Sequence, residues 1–205
     1  MKHLETAKEL QPKDTANRIL IQAMRIFLEK GYHGTSIDDI TQAAGLTKGA
    51  LYWHFSSKED LLKRIVEEFE KRFLDGLIEA VGEVNGGVLD KFGKMFRYVA
   101  AFAYYNRELC VSFTTLAAEL VGAHHGIESE FRRIHKKYQK FLSTLILQGE
   151  KEKIFKKEID SALAGLVIMA FHDGILLQWS MNKDKIDGEA YVKTYNKILL
   201  DGLKK

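Results

Sequence analysis

The sequence is poor in the residues that build disulfide-stabilised or loop-rich folds. It contains one cysteine, Cys110, and one proline, Pro12, in 205 residues. A single cysteine excludes an internal disulfide framework and fits a reducing cytoplasm. Because no proline follows Pro12 and alternating β-branched runs are few, the apolar pattern favours helices throughout the chain. We therefore expect an all-α protein.

Long uninterrupted apolar segments are also missing. The start of the chain, MKHLETAKELQPKD, lacks the apolar region of a signal peptide. The longest apolar run, residues 162–171, is far shorter than the roughly 20 residues that a membrane helix requires. We expect a cytoplasmic protein with no membrane partner. The formal net charge of +3 permits nucleic-acid binding but does not argue for it.

The chain contains a series of helical patterns separated by short polar turns. A polar arm, residues 1–12, precedes an N-terminal head of three short helices over residues 13–56. Residues 57–205 are predicted to form a second domain, whose first helix starts with a capping-box sequence, ends near residue 83 and braces the head. Further helices are expected at about 88–105, 107–122, 127–151, 159–181 and 188–203, with a loop at His124 and His125, which makes about nine helices.

The head contains a stretch typical of a helix-turn-helix, TSIDDITQAAGLTKGALYWHFSSKEDLL. In its first helix Ile37 and Ile40 form an apolar ridge, and Gly45 supplies the backbone freedom for a sharp turn. Thr47 can cap the second helix. In that helix Leu51 and Phe55 point toward the head, so the opposite side is free to enter a DNA major groove.

This block closely resembles the N-terminal domain of the TetR/AcrR family of bacterial regulators, and the resemblance extends from about Ile19 to about Leu62. It implies an all-α homodimer whose first three helices bind DNA while the remaining helices bind an effector and dimerise. It also implies that a ligand weakens operator binding and thereby derepresses neighbouring genes. Beyond residue 88 the likeness is limited to helical layout and length, which identify no ligand.

The candidate contacts to double-stranded operator DNA lie on and around the second helix of the motif. Lys48 can donate to guanine O6 and N7, and Gly49 and Ala50 let the helix approach the groove floor. Tyr52 and Trp53 can stack along the groove wall, although Tyr52 could instead belong to the core. Phosphate contacts are expected from Thr35, Ser36, Thr47, His54 and Lys58.

An aromatic-rich region in the second domain is the candidate binding site for a small, largely apolar effector. The candidate lining residues are Phe96, Phe102, Tyr105, Phe113, Phe131, Tyr138, His172 and Trp179. The alternative is an ordinary packed core, because aromatic residues at helical spacing usually fill one. His172 and Asp173 interrupt the most apolar helix, so they are expected to contact either a ligand or a partner chain.

The same helix, residues 159–181, is apolar on nearly all sides, so every side must be covered. We expect it to form a four-helix bundle with the last helix across a two-fold axis, although a purely internal central helix is the alternative. The candidate interface residues are Ala162, Gly165, Met169, Asp173, Ile175, Tyr195 and Leu199.

Three functions compete at this point. The leading hypothesis is a homodimeric repressor that a small molecule releases from a pseudo-palindromic operator. The second is a DNA-binding regulator controlled by a protein partner. An enzyme is not supported, because the sequence shows no nucleophile–base pair, phosphate loop or metal-ligand spacing. No cofactor is expected, and the adjacent His124 and His125 lack the further ligands of a metal site.

Overall fold

The computed structural model describes residues 14–120, 122, 126–182 and 185–205. Within these residues the protein is all-α, with nine helices and an isolated antiparallel bridge between Phe155 and Lys204. The predicted fold class is therefore confirmed. The polar arm, the predicted domain start at residue 13 and the histidine pair at 124–125 lie outside the described residues.

The first three helices form the head: α1 (Thr15–Lys30), α2 (Ile37–Ala44) and α3 (Lys48–Tyr52). Each begins at a side-chain cap that the sequence provides. Asp14 accepts from the backbone of Asn17, Thr47 accepts from Ala50, and Ser36 forms a complete capping box with Asp39. These caps fix where the helices start and therefore where the motif's exposed side chains emerge.

The turn between α2 and α3 depends on Gly45. Its backbone is left-handed, with φ of 64°, and its N–H bonds back to the end of α2. A residue with a Cβ is strained in this region, whereas glycine is not. Behind the turn, Ile40 and Leu51 are fully buried together with Phe27. The turn thus holds α3 against α1 and α2 with one side turned outward.

The brace helix, α4, is interrupted by a wider turn. It runs as α-helix over Lys58–Phe69, as a π-helical turn over Glu70–Asp75, and as α-helix again over Gly76–Gly82. The Tyr98 hydroxyl donates to the carbonyl oxygen of Arg72 within that turn, at 2.7 Å. A Cβ on Gly76 would lie 2.2 Å from the same hydroxyl, so glycine is required there. The helical pattern of the sequence predicts one continuous α-helix and does not reveal this turn.

The remaining helices are α5 (Val88–Tyr105), α6 (Arg107–Leu120), α7 (Gly126–Lys151), α8 (Ser161–Met181) and α9 (Gly188–Leu203). They match the predicted ranges to within two residues, and capping aspartates start α8 and α9. Helices α7 and α8 pack closely, since a Cβ on Gly165 would lie 3.1 Å from the carbonyl oxygen of Gln139. α6 packs on α1 and α4, which joins the head to the second domain.

Helix α8 is the least covered apolar element. Only Gly165, Ile168 and Met169 are buried along it, whereas Leu163 and Val167 are 61% and 50% exposed. Its most apolar 18-residue window has a mean hydropathy of 1.5, so length and composition would allow this one helix to cross a bilayer. The uninterrupted run at 162–171 understates how apolar the whole helix is. The described residues of its own chain do not cover these side chains, so the helix needs a further partner.

Candidate functional site

The outer side of α3 is an exposed aromatic and basic surface. Trp53 is 86% exposed and Tyr52 is 51% exposed, whereas Leu51 and Phe55 are buried behind them. Tyr52 therefore faces outward, and the alternative that it belongs to the core does not hold. Gly49 lies on the same surface, where a Cβ added to it would meet no atom closer than the Thr47 hydroxyl at 3.9 Å. Nothing in the described chain fills the space in front of this helix face.

Lys48 is paired with an acidic residue on the neighbouring helix. Its Nζ lies 2.7 Å from Oδ1 of Asp38, and both side chains are more than half exposed. The hydrogen bond and the charge of Asp38 raise the pKa of Lys48, so the ammonium is charged at any physiological pH. Because an exposed pair of this kind is weak, the ammonium is free to exchange Asp38 for an acceptor on DNA.

Three of the candidate phosphate contacts lie on the surface beside α3. Ser36 and Thr47 are exposed at the starts of α2 and α3, where backbone N–H groups point outward. His54 is exposed directly after α3. The hydroxyl of Thr47 already accepts from the backbone N–H of Ala50, at 3.2 Å, and keeps its own proton for donation.

Thr35 and Lys58, by contrast, are used inside the head. Thr35 is 3% exposed and its hydroxyl donates to the carbonyl oxygen of Gly31 at 2.6 Å, so a phosphate contact by this side chain is contradicted. The Lys58 ammonium donates to the carbonyl oxygens of Tyr32 and Thr35, both at 2.7 Å, and lies 4.4 Å from the Tyr32 ring centre. It ties the α1–α2 loop to α4 with two of its three donors, a role that the expected phosphate contact of Lys58 did not include.

The second domain contains a small inner cavity of about 70 Å³ between α4, α5, α6, α7 and α8. Apolar side chains form most of its wall, and Thr114, His135 and Asp173 add polar groups. Burial raises the pKa of Asp173, whose carboxylate accepts a long hydrogen bond of 3.4 Å from Thr114. This volume is far below the roughly 300–1,000 Å³ of a drug-sized site.

Beside the cavity lies a larger, mostly apolar groove of about 910 Å³ between α5, α8 and α9, here called the effector groove. Val99, Ala103, His172 and Leu176 line both spaces and so form the wall between them. Displacement of these side chains would join the two spaces into one site of sufficient size.

A hydrogen-bonded trio lies in that wall. The Tyr138 hydroxyl is 2.6 Å from Nδ1 of His172, and the Tyr195 hydroxyl is 3.3 Å from its Nε2. Burial lowers the pKa of His172 to about 4, so the ring is neutral and has one donor and one acceptor nitrogen. Both nitrogens are thus satisfied within the chain, one by each tyrosine.

The predicted effector contacts divide into three groups. Phe113, Tyr138 and His172 line the inner cavity, while Phe96 and Trp179 line the groove. Phe102 and Phe131 line neither of these spaces; they are buried in ring contacts, Phe102 with Phe73 at 5.3 Å and Phe131 with Phe113 at 5.1 Å. Tyr105 is 50% exposed and lines a different cleft, next to the head. The small wall residues Val99 and Ala103 were missed, because nothing in their spacing distinguishes them from core.

The predicted dimer face needs a correction. Gly165 packs against α7, Met169 and Asp173 line the inner cavity, and Tyr195 bonds His172, so these four residues face their own chain. Ile175 lines the effector groove, Leu199 is half-buried, and Ala162 is exposed. The exposed large apolar side chains on these two helices are Leu163, Leu166, Val167, Phe171 and Met181 on α8 and Ile198 on α9.

Helix α6 connects the inner cavity to the head. Phe113 and Thr114 on this helix line the cavity. Within two further turns, the Glu119 carboxylate accepts from the backbone N–H groups of Tyr32 and His33 in the α1–α2 loop, at 2.9 and 3.1 Å. No local pattern indicates this contact, because the residues are more than 80 positions apart.

Comparison with known proteins agrees with this architecture. The sequence model described as "Bacterial regulatory proteins, tetR family" matches residues 19–65, and the one described as "YsiA-like protein, C-terminal region" matches residues 61–202. The chain is similar to the HTH-type transcriptional regulator AcrR of Shigella flexneri, with 24% identity over 199 residues that cover 96% of this chain and 92% of the relative.

Solved structures show the same fold. The MbdR regulator from Azoarcus sp. CIB superposes with a TM-score of 0.84 at 26% identity, covering 94% of this chain and all of that one. FadR from Bacillus subtilis, determined in complex with stearoyl-CoA, gives a TM-score of 0.71 at 22% identity, covering 91% and 98% of the two chains. From the head to the last helix, this chain belongs to the TetR family of DNA-binding transcriptional regulators, which are not enzymes.

Proposed function

We propose that the protein is a homodimeric repressor, released from a pseudo-palindromic operator when a largely apolar ligand enters the second domain. The observation that carries this proposal is α3, whose inner residues are buried while Lys48, Tyr52 and Trp53 stand exposed on one face. An exposed tryptophan and tyrosine have no packing role there. In a major groove they would stack along the wall while Lys48 donates to a guanine.

The proposed DNA contacts are the candidate residues that lie on the outer surface of the head. Lys48, Gly49 and Ala50 approach the bases, Tyr52 and Trp53 line the groove wall, and Ser36, Thr47 and His54 contact phosphates. Thr35 and Lys58 hold the loop that presents these residues. One head offers few contacts, so two heads spaced one DNA turn apart, about 34–36 Å, are needed for tight binding.

The dimer is proposed to form through α8 and α9. Leu163, Leu166, Val167 and Phe171 make a continuous exposed apolar stripe on α8, because they recur at spacings of three, one and four residues along one side. A stripe of this size marks an interface more often than a free surface. A partner copy would cover it, and the protein would remain soluble in the cytoplasm despite an apolar helix of 21 residues.

The ligand is proposed to occupy the effector groove and extend toward the inner cavity. The groove is mostly apolar, and its wall carries the neutral Tyr138–His172–Tyr195 trio. A ligand tail that displaces this wall would gain apolar burial on both sides. Among the structural relatives, FadR from Bacillus subtilis binds stearoyl-CoA, a molecule with a long apolar tail.

Switching is proposed to pass through α6 and α4 to the head. A ligand that widens the inner cavity would press on Phe113 and Thr114 of α6, and therefore move Glu119 and the α1–α2 loop that it holds. The π-helical turn of α4 is anchored to α7, since Glu70 accepts from Arg133 and Lys137 at 2.7 and 2.8 Å. A ligand that prefers one arrangement of these helices would change the spacing of the two heads.

A DNA-binding titration tests this function. A duplex selected from random DNA by the purified protein is labelled, and its binding is followed by fluorescence anisotropy while stearoyl-CoA is added. We expect the duplex to be released. In the Ala103→Phe variant, which fills the wall between groove and cavity, release should require more ligand, whereas the control Ala118→Phe, at an exposed position of α6, should behave as wild type.

Control of DNA binding by a protein partner, the alternative function, predicts a different result. If neither stearoyl-CoA nor apolar molecules extracted from the expression host release the duplex, control by a protein partner is favoured instead.

A further inference from the structure

A third space lies between the head and the second domain, next to the effector groove, with which it shares Tyr104. It is an open cleft of about 710 Å³, here called the junction cleft, bounded by α1 and the end of α2 on one side and by the α5–α6 corner on the other. The proposed DNA contacts do not use it, and its overlap with the effector region is limited to Tyr104, which also lines the groove, and Tyr105, which was predicted as an effector contact. The residues that give it chemical character are Arg18, Arg25, Tyr104, Tyr105, Arg107 and Glu108.

The cleft is positively charged. Three guanidinium groups and a single carboxylate line it, which leaves two positive charges in excess. Arg25 is paired with Glu108 at 3.1 Å, and Arg18 donates to the carbonyl oxygen of Ala44 at 3.1 Å. Arg107 has no ion-pair partner in the part of the chain that the structure describes. Guanidinium groups bind phosphate oxygens through paired, charge-assisted hydrogen bonds, so a surplus of them suits a phosphorylated ligand.

The cleft also exposes aromatic surface. Tyr104 is 68% exposed and Tyr105 50% exposed, and their rings meet edge to face with centres 5.2 Å apart. Contiguous exposed apolar surface with a polar rim is typical of a binding site, whereas single exposed side chains are not. Placed beside guanidinium groups, a tyrosine face can stack on a planar ring while the arginines hold an attached phosphate.

We propose that the junction cleft binds a phosphorylated ligand that carries a planar ring, that is, a nucleotide or a nucleotide-containing coenzyme. Its phosphates contact Arg107 and Arg25, with Arg25 exchanging Glu108 for the ligand, and its ring stacks on Tyr104. Because one wall belongs to the head and the other to the second domain, the ligand bridges the two and fixes the orientation of α3. The site meets the effector groove at Tyr104, but its arginines lie outside that groove, so phosphate binding there does not depend on the apolar effector proposed above.

Isothermal titration calorimetry of the full chain with ADP, pyrophosphate and adenosine tests the proposal. We expect ADP to bind more tightly than either pyrophosphate or adenosine, since only ADP supplies both phosphate and ring. Arg107→Gln should weaken ADP binding about tenfold, the loss expected for a charge-assisted contact. Arg132→Gln is the matched control, because Arg132 is exposed on α7 and paired with Glu128 far from the cleft; it should bind ADP as wild type does.

A second variant separates ring from phosphate recognition. Tyr104→Ala removes an exposed side chain, so folding is preserved; it should weaken ADP binding and leave pyrophosphate binding unchanged. Absence of ADP binding at millimolar concentration, or equal binding by the Arg107→Gln and Arg132→Gln variants, would overturn the proposal. So would an Arg107→Gln variant that loses affinity for the selected duplex but not for ADP, because the cleft would then serve DNA phosphates.

Discussion

At the scale of single residues, the exposed face of α3 depends both on a glycine without a side chain and on the basic and aromatic side chains beside it. Gly49 lies on the exposed face of α3, and its lack of a side chain leaves the backbone open in front of Lys48 and Trp53. The exposed pair formed by Lys48 and Asp38 places the ammonium at the surface between α2 and α3, where the proposed DNA contact would replace the carboxylate. These features give α3 a low, basic and aromatic face.

Gly49→Ala should separate stability from DNA binding. The added methyl group meets nothing closer than 3.9 Å, and alanine is favoured over glycine in a helix by about 1 kcal/mol. The free energy of unfolding should therefore stay the same or rise, while affinity for the selected duplex falls because the helix can no longer approach the groove floor. Gly82→Ala, in open space at the end of α4, is the control and should leave DNA affinity unchanged. Equal DNA affinity of the two variants would contradict the proposed contact.

His172 makes the stability of the protein depend on pH. Burial lowers its pKa in the folded state from about 6.5 to about 4, so the unfolded chain binds the proton more readily. The contribution of neutral His172 to the free energy of unfolding is complete above about pH 6.5. It is lost as the pH falls toward 4, by on the order of 3 kcal/mol in total.

The His172→Gln variant tests this dependence in urea unfolding experiments at pH 7.5 and pH 5. The variant keeps hydrogen-bonding groups but cannot titrate, so its loss of stability between the two pH values should be smaller than that of wild type. His135 and Asp173, which line the same cavity, are present in both proteins and cancel in the comparison. An unchanged difference would show that burial does not lower the pKa of His172 in the folded state.

At the scale of helices, α6 and α4 both contact the inner cavity and the head, and α6 holds the α1–α2 loop through a carboxylate. Its side chains Phe113 and Thr114 line the cavity, and Glu119 at its end holds the backbone of Tyr32 and His33. Arg25 and Glu108 add a second link between α1 and the start of α6. In the proposed switch, these contacts would transmit a shift of α6 to the loop that precedes α2.

Glu119→Ala should weaken the coupling between effector and DNA. The variant lacks the carboxylate that joins α6 to the α1–α2 loop, so the fold-change in duplex affinity caused by stearoyl-CoA should be smaller than in wild type. Glu79→Ala removes the same charge from an exposed position on α4 and should keep the wild-type response. Identical fold-changes in both variants would exclude α6 as the connection.

Most helix boundaries could be predicted from the sequence because their signals are local. Asp14, Ser36, Thr47 and Ser57 each cap the helix that follows them, and Gly45 terminates α2. The π-helical turn in α4 could not be predicted, because it is held by contacts with α5 and α7 that are distant in sequence. Local patterns place the start of a helix but not its distortions.

The candidate sites likewise differ in how much the local sequence pattern could predict. Exposure of Tyr52 and Trp53 followed from the buried positions of Leu51 and Phe55 on the opposite side of the helix. On α8 every side is apolar, so the pattern does not indicate which side α7 covers. That is why Gly165 and Met169 were predicted at the dimer face, although the uncovered residues are Leu163 and Val167. The contact of Lys58 with the α1–α2 loop was not predicted, because its two carbonyl acceptors lie more than 20 residues earlier in the sequence.

At the scale of the whole molecule, the proposed function requires two copies of the chain. The α8 stripe is uncovered in one copy, and one head alone supplies few DNA contacts.

Val167→Asp should therefore give a monomer, because it places a charge in the proposed interface. Sedimentation velocity measures the mass directly. Leu147→Asp on α7 is the control, since Leu147 is 43% exposed against 50% for Val167; it should remain dimeric, and a dimeric Val167→Asp would contradict the interface.

The central claim is that α3 reads DNA through its exposed face, and one binding measurement tests it most directly. The duplex selected by the wild-type protein is titrated with wild type, Lys48→Ala and Lys136→Ala by fluorescence anisotropy at several salt concentrations. Lys136 is exposed on α7, so both variants lose one positive charge, but only one loses it from α3. We expect the affinity of wild type and Lys136→Ala to fall steeply with salt, as phosphate contacts require. Lys48→Ala should bind at least about tenfold more weakly, consistent with loss of a base contact. Equal affinity of all three proteins would contradict DNA reading by α3.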